Sequence, residues 1–202
     1  MIRFWNKFAL SNYHKMKILI IGADGNIGKI ITPALQQSHE VITAGRNSGD
    51  ISVDISSVAS LENLFKKTGS IDAIVCAAGN SVTTELLSMT NEQYLIGIEQ
   101  KLLPQINLVV KGLNHVNDNG SFTLISGKMG ENPTKASSGK AVANGAVNSF
   151  VLAAALEMPR GIRINAVSPS KISDIADADL INAYLKSLAT SVNGEIIRIG
   201  YN

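Results

Sequence analysis

Three glycines spaced by three in the run Gly22-Ala23-Asp24-Gly25-Asn26-Ile27-Gly28 are the residues of this chain best suited to hold a ligand. They close the branched apolar stretch from Lys17 to Gly22, which reads as a strand buried on both faces, and they open the helical apolar pattern of Ile27 to Gln37. In that setting the loop N–H groups and the positive end of the helix dipole face one point, where the diphosphate of a dinucleotide can sit. Gly22, Gly25 and Gly28, with Asp24, Asn26 and Ile27 between them, are therefore the expected cofactor loop. A lone glycine triplet is otherwise only a tight turn; its place after a strand and before a helix is what makes it specific. The run lacks the Gly-Lys-Ser/Thr ending of a P-loop, and Lys29 does not fill the role of that lysine.

The next strand decides which dinucleotide. An NAD-binding chain places an acid near the end of its second strand to hold the ribose hydroxyls, but here Val41 to Ala44 runs into Gly45-Arg46-Asn47-Ser48 with no acid. A guanidinium fork suits phosphate oxygens. Arg46, with Asn47 and Ser48 as further donors, is thus expected to hold the 2′-phosphate of NADP, and NADP(H) is favoured over NAD(H). The plain alternative for Arg46 is an exposed turn residue. The missing acid also counts against S-adenosylmethionine, whose methyltransferases commonly want a carboxylate there.

These residues need a scaffold, and the apolar runs supply it. Strands are expected at 17–22, 41–44, 51–54, 71–77, 121–126, 163–168 and 195–200, and helices at 27–37, 57–67, 91–113, 137–158 and 174–189. Pro33 should kink or shorten the first helix, whereas the long helix from Asn91 to Leu113 is expected to run on despite Pro104. Asn117-Asp118-Asn119-Gly120 reads as a turn before the fifth strand. The alternation predicts an α/β fold of Rossmann type, a doubly wound, mostly parallel seven-stranded sheet with helices on both faces. The helix from Ser137 to Met158 is small and apolar almost all round, which fits burial against the sheet and against a second subunit, so a homodimer or homotetramer is expected.

Length and composition bound the rest. The chain has 202 residues, 45% of them hydrophobic, enough for one substantial core and hardly two, so 17–202 is expected to be a single domain. Residues 1–16 read as a dispensable extension; basic and acid-free, they leave an organelle-targeting peptide as the alternative. The formal charge of +2 depends on Arg3, Lys7 and Lys15, and without them 15 basic residues stand against 16 acidic ones. No basic face is left for nucleic acid. No apolar stretch approaches the ~20 residues of a membrane helix, and the lone Cys76 excludes an internal disulfide framework or a thiolate metal cluster. A reducing cytoplasm is the expected compartment. His14, His39 and His115 lack metal-site spacing, and no metal is expected.

In order from Lys17 to Gly200, the sequence resembles the short-chain dehydrogenase/reductase family. The loop Gly22 to Gly28 resembles the family's cofactor loop, and Val53-Asp54-Ile55 the segment that contacts adenine, which implies that role for Asp54 and Ile55. Cys76-Ala77-Ala78-Gly79 is similar to its Asn-Asn-Ala-Gly segment with both asparagines lost, leaving Ala77, Ala78 and Gly79 for cofactor contact. The stretch from Gly161 to Ser170 resembles the one ending beside the nicotinamide, which implies Pro169, and Asn193 to Gly200 the terminal strand.

The family's catalytic set is an asparagine, a serine and a tyrosine followed four residues later by lysine, and here it is broken. Alignment puts Lys140 at the tyrosine position, Asn144 at the lysine position and Lys101 at the asparagine position; Ser126 falls near the serine position, with Gly127 selected by strict spacing. Tyr13 and Lys17 have the right spacing but precede the first strand. Reduction of a carbonyl still requires an acid at the new alkoxide, and a lysine serves when burial or a neighbouring cation lowers its pKa. Lys140 and Lys101 acting on each other, with Ser126 bonded to the substrate oxygen, are the expected altered site. Two functions follow from the resemblance: an NADP-dependent oxidoreductase acting on a small carbonyl or alcohol, or a nucleotide-binding sensor that has lost catalysis.

Overall fold

The structure is a computed structural model and describes residues 15–189 and 191–201. Most of the extension expected at 1–16, with Tyr13 and His14, lies outside the described residues.

Seven strands, β1 Lys17–Ile21, β2 Glu40–Gly45, β3 Ile51–Ser52, β4 Ile71–Cys76, β5 Val116–Ile125, β6 Arg163–Pro169 and β7 Ile196–Ile199, form one sheet in the order β3-β2-β1-β4-β5-β6-β7. Every neighbouring pair is parallel, as strands joined by crossover helices must be. The helices are α1 Gly28–Gln36, α2 Val58–Thr68, α3 Asn91–Gly97, α4 Leu103–Gly112, α5 Ser138–Ala154 and α6 Asp177–Leu188. This is the doubly wound Rossmann-type architecture expected from the sequence. No helix among the described residues is long and apolar enough to cross a membrane.

Burial on both faces explains why β1 and β4 are unbroken apolar runs. Leu19 and Ile74 face a core built with Leu61, Leu64 and Phe65 of α2, Leu108 of α4 and Val147 of α5. Their neighbours Ile18, Ile20, Ala73 and Val75 face the opposite layer, where Ile31 and Leu35 of α1 meet Leu180 and Tyr184 of α6. Because β1 lies between β2 and β4, the chain leaves its carboxyl end in two directions, and the crevice above that point is where doubly wound sheets bind ligands.

Four expectations need correction. The helix expected at 91–113 is interrupted by a π-turn at Ile98–Leu102, in which the Leu103 N–H bonds to the Ile98 carbonyl. Pro104 gives the physical reason: it has no N–H for the Gln100 carbonyl, which accepts instead from the Asn80 N–H at 3.2 Å. The segment 117–120 belongs to β5 rather than to a turn before it. A Cβ on Gly120 would lie 2.5 Å from the Asp72 carbonyl oxygen, so this glycine serves close strand approach beside the register shift between β4 and β5. The third strand stops at Ser52, since Asp54 turns the chain toward α2. Finally, a 3-10 turn at Ile172–Asp174 precedes α6. Pro33 lies inside α1, which is nine residues long, as the short alternative required.

Candidate functional site

The glycine loop is shaped by backbone contacts. Gly22 leaves β1 at φ +84, and its N–H donates to the Ala44 carbonyl at 2.8 Å while its own carbonyl accepts from Gly25 N–H at 3.1 Å. Gly28 then starts α1 directly over this turn: a Cβ there would lie 2.2 Å from the Gly22 carbonyl oxygen and 2.5 Å from the Ala23 carbonyl. Only a hydrogen fits. Ile27, the N-cap, offers no side-chain cap. The amides of residues 26–28 take no protein acceptor among the described residues, so they stay available to an anion at the positive end of α1. The cradle thus fits a diphosphate.

Arg46, Asn47 and Ser48 form the exposed turn between β2 and β3. The Asp54 carboxylate accepts from the Ser56 hydroxyl at 2.7 Å and the Ser56 N–H at 3.0 Å. Those bonds, with a smaller contribution from the Arg46 charge, hold its pKa below the usual carboxylate value. Asp54 therefore braces the start of α2, Ile55 packs on the core edge, and Arg46 is near enough to feel that carboxylate.

At the carboxyl ends of the central strands lies a cleft of about 440 Å³, lined by Lys101, Ser126, Lys140 and Asn144. Ile27 of the glycine loop, Ala77 and Gly79 beyond β4, and Pro169 at the end of β6 line the same cleft. Ala78 sits just outside it, close enough for a Cβ on Gly22 to touch its side chain at 3.0 Å. The sequence-named residues from four strand ends are thus brought together, while Arg46, Asn47, Ser48 and Asp54 are not among the lining residues.

Lys101 is the most constrained of them. It projects from the π-turn and is 7% exposed, with Gly79 packed so tightly on its stem that a Cβ there would lie 2.7 Å from Lys101 Cγ. Its Nζ donates to Asn144 Oδ1 at 2.6 Å and to the Ser126 main-chain carbonyl at 2.9 Å. Both acceptors are neutral. Burial lowers its pKa to about 8; Cys76 opposes the shift and the Lys140 charge adds to it. Burial, rather than the mutual influence of two lysines expected from sequence, is the larger cause. The Cys76 thiol beneath is fully buried and pushed up to about 11, so it is a neutral neighbour at ordinary pH.

Ser126 lies at the end of β5. Its hydroxyl accepts from Gly127 N–H at 2.6 Å and donates to Ser168 Oγ at 3.1 Å. Ser168 Oγ is in turn hydrogen-bonded with the Tyr201 hydroxyl at 2.6 Å, and the Lys128 ammonium lies 5.6 Å from the Tyr201 ring centre. Ser168, Lys128 and Tyr201 carry no site role in the sequence; a serine ending one strand and a tyrosine just past the next become neighbours only once β6 and β7 are known to pair. Neither described histidine lines the cleft: His39 accepts from the Met16 N–H, and His115 stacks on Phe65.

Comparison with known proteins places this geometry in context. A family profile described as Enoyl-(Acyl carrier protein) reductase matches residues 23–198. A Listeria innocua protein of solved structure is 42% identical, with a TM-score of 0.86 over 91% of this chain and 98% of that one. A small-chain dehydrogenase solved in complex with NADPH is 21% identical, with a TM-score of 0.82 over 92% of this chain and 96% of that one. An uncharacterized oxidoreductase of Staphylococcus epidermidis is 21% identical over 78% of this chain and 79% of its own length.

Proposed function

The chain belongs to the short-chain dehydrogenase/reductase family, and from that premise we propose that it is an oxidoreductase that uses NADP(H) before NAD(H) and acts on a small carbonyl or alcohol through Lys101. The observation that supports this reading is the single cleft in which Lys101, Ser126, Lys140 and Asn144 meet Ile27, Gly79 and Pro169. A relative of the same fold is described with NADPH. Bound there, the nucleotide would supply or accept the hydride.

The chain's own residues divide the remaining work. The amides of 26–28 hold the diphosphate, and Arg46, with Asn47 and Ser48, holds the 2′-phosphate. Asp54 and Ile55 border the adenine, and Ala77, Ala78, Gly79 and Pro169 are the small or rigid residues along which the nucleotide lies. Ser126 turns its hydroxyl from Ser168 to the substrate oxygen. Lys101, as an ammonium, spends two protons on Asn144 Oδ1 and the Ser126 carbonyl and keeps the third for the developing alkoxide. Lys140 adds positive potential that favours both the alkoxide and loss of the Lys101 proton. The same reading makes the protein cytoplasmic and assembles two or four copies through α4 and α5, whose Val110, Val142 and Leu152 are exposed.

Following NADPH oxidation across a panel of small aldehydes and ketones tests the proposal. Turnover with at least one is expected; saturable NADPH binding with none turned over favours the sensor reading instead. Arg46→Ala is expected to weaken NADPH roughly tenfold, the value of one charge-assisted hydrogen bond, and to leave NADH affinity within about twofold. Fluorescence titration of both nucleotides checks this, and an equal loss for the two would remove Arg46 from phosphate recognition.

A further inference from the structure

We propose that Lys101 is an amine nucleophile, adding to the carbonyl carbon of a small aldehyde or ketone in the cleft to form an iminium. A buried lysine that stays charged normally has a carboxylate beside it, because an unpaired ammonium in a low dielectric is costly. Lys101, at 7% exposure, has none among the described residues: its two acceptors are the amide oxygen of Asn144 and a main-chain carbonyl. The amine form, in equilibrium with the ammonium that serves the reduction, has two N–H bonds, and these two oxygens satisfy both. What remains on Nζ is the lone pair, in the one direction no protein acceptor occupies, on a residue that lines the cleft.

Of the groups facing Lys101, Cys76 pulls toward the charged form, and it does so as a thiolate, which its raised pKa keeps scarce at neutral pH. Lys140 from α5 opposes a second positive charge, and Cys76 from β4 stays a thiol. Lys128 and Lys171 at the rim of the cleft bring no negative charge. An amine made reactive by burial and by a neighbouring cation is the setting in which lysines form Schiff bases.

The step balances without an oxidant or reductant. The Nζ lone pair forms the C–N bond while the carbonyl π pair moves to oxygen, which takes a proton from solvent. The carbinolamine then loses that oxygen as water, which carries off the proton it took up and one of the two amine protons, and the amine proton left on nitrogen gives the iminium. Hydrolysis reverses the sequence, so the adduct is transient unless trapped. This inference rests on reading the cleft as a carbonyl site, but not on nucleotide binding.

The test is reductive trapping on the full-length protein without nucleotide, using limiting propanal and cyanoborohydride at neutral pH, followed by peptide mapping. A lysine whose pKa is about 8 has a neutral fraction at pH 7 about two hundred times that of an ordinary lysine. Allowing for restricted access, the Lys101 peptide should gain the propyl group at least about tenfold faster than the peptides carrying the exposed Lys66 and Lys67. Asn144→Asp sets a carboxylate against Nζ and should slow Lys101 labelling by about tenfold. Labelling of Lys101 no faster than of Lys66 and Lys67, or an unchanged rate in a folded Asn144→Asp variant, overturns the proposal. Titration of the same preparation with NADPH separates the two readings: binding without labelling removes this inference alone, and labelling without binding removes the nucleotide reading alone.

Discussion

Gly28→Ala is expected to reduce NADPH affinity at least about a hundredfold while the sheet stays folded. The added methyl would meet backbone at 2.2 and 2.5 Å, and backbone, unlike a side-chain tip, cannot rotate away. Overpacking of this kind costs about 1–3 kcal/mol in the folded state. The cheapest relief is to lift the start of α1 off the Gly22 turn, which disperses the amides of residues 26–28. Losing two hydrogen bonds to a charged group at about 1.5 kcal/mol each gives the stated fold-change. Fluorescence titration of NADPH measures it, with Gly145→Ala as comparison: the nearest atom to its added methyl is 3.5 Å away, so that variant should bind normally. Wild-type affinity in Gly28→Ala would contradict the cradle.

Lys101→Met is expected to lower turnover by about 10²–10⁴-fold, the range associated with a positioned acid, and to leave NADPH affinity within about threefold. Stability supplies an independent readout. With its folded pKa lowered to about 8 against an unfolded value of about 10.4, the lysine binds fewer protons in the native state between those values. Unfolding free energy contributed by this group therefore rises with pH across that window, and burying the ammonium below it costs roughly 3 kcal/mol. In Lys101→Met this rise should vanish, because methionine does not titrate. Its stability at neutral pH reflects two opposing changes: relief from the buried charge, and two oxygens left without a donor at about 1–3 kcal/mol each. The checkable quantity is the difference in denaturant-derived stability between wild type and variant from pH 7 to pH 10. Parallel curves would show that Lys101 is not neutralised by burial.

The glycine loop was legible because its signal is local: one apolar run, three small residues and one helical pattern within Lys17 to Gln37. The sheet was legible for the same reason, since each strand buried on both faces carries its own apolar run. Lys101 was located by alignment, but its burial was not readable, because nothing in the residues around it announces a π-turn. The cause lies in a pairing across the fold, Asn80 taking the carbonyl that Pro104 cannot serve. Gly120 was read as a turn because a glycine freeing the backbone and a glycine admitting a neighbouring strand look alike in one dimension. Tyr201 has no lysine four residues on to mark it in the sequence; its link to Ser168 depends on β6 and β7 lying side by side.

The redox chemistry proposed for this chain depends on a diphosphate resting on the amides that open α1. Calorimetric titration of the full chain with NADPH and, separately, NADH addresses this most directly. The account predicts saturable heat at one site per chain with both, the phosphorylated nucleotide binding more tightly. Absence of saturable heat with either at millimolar concentration would contradict it.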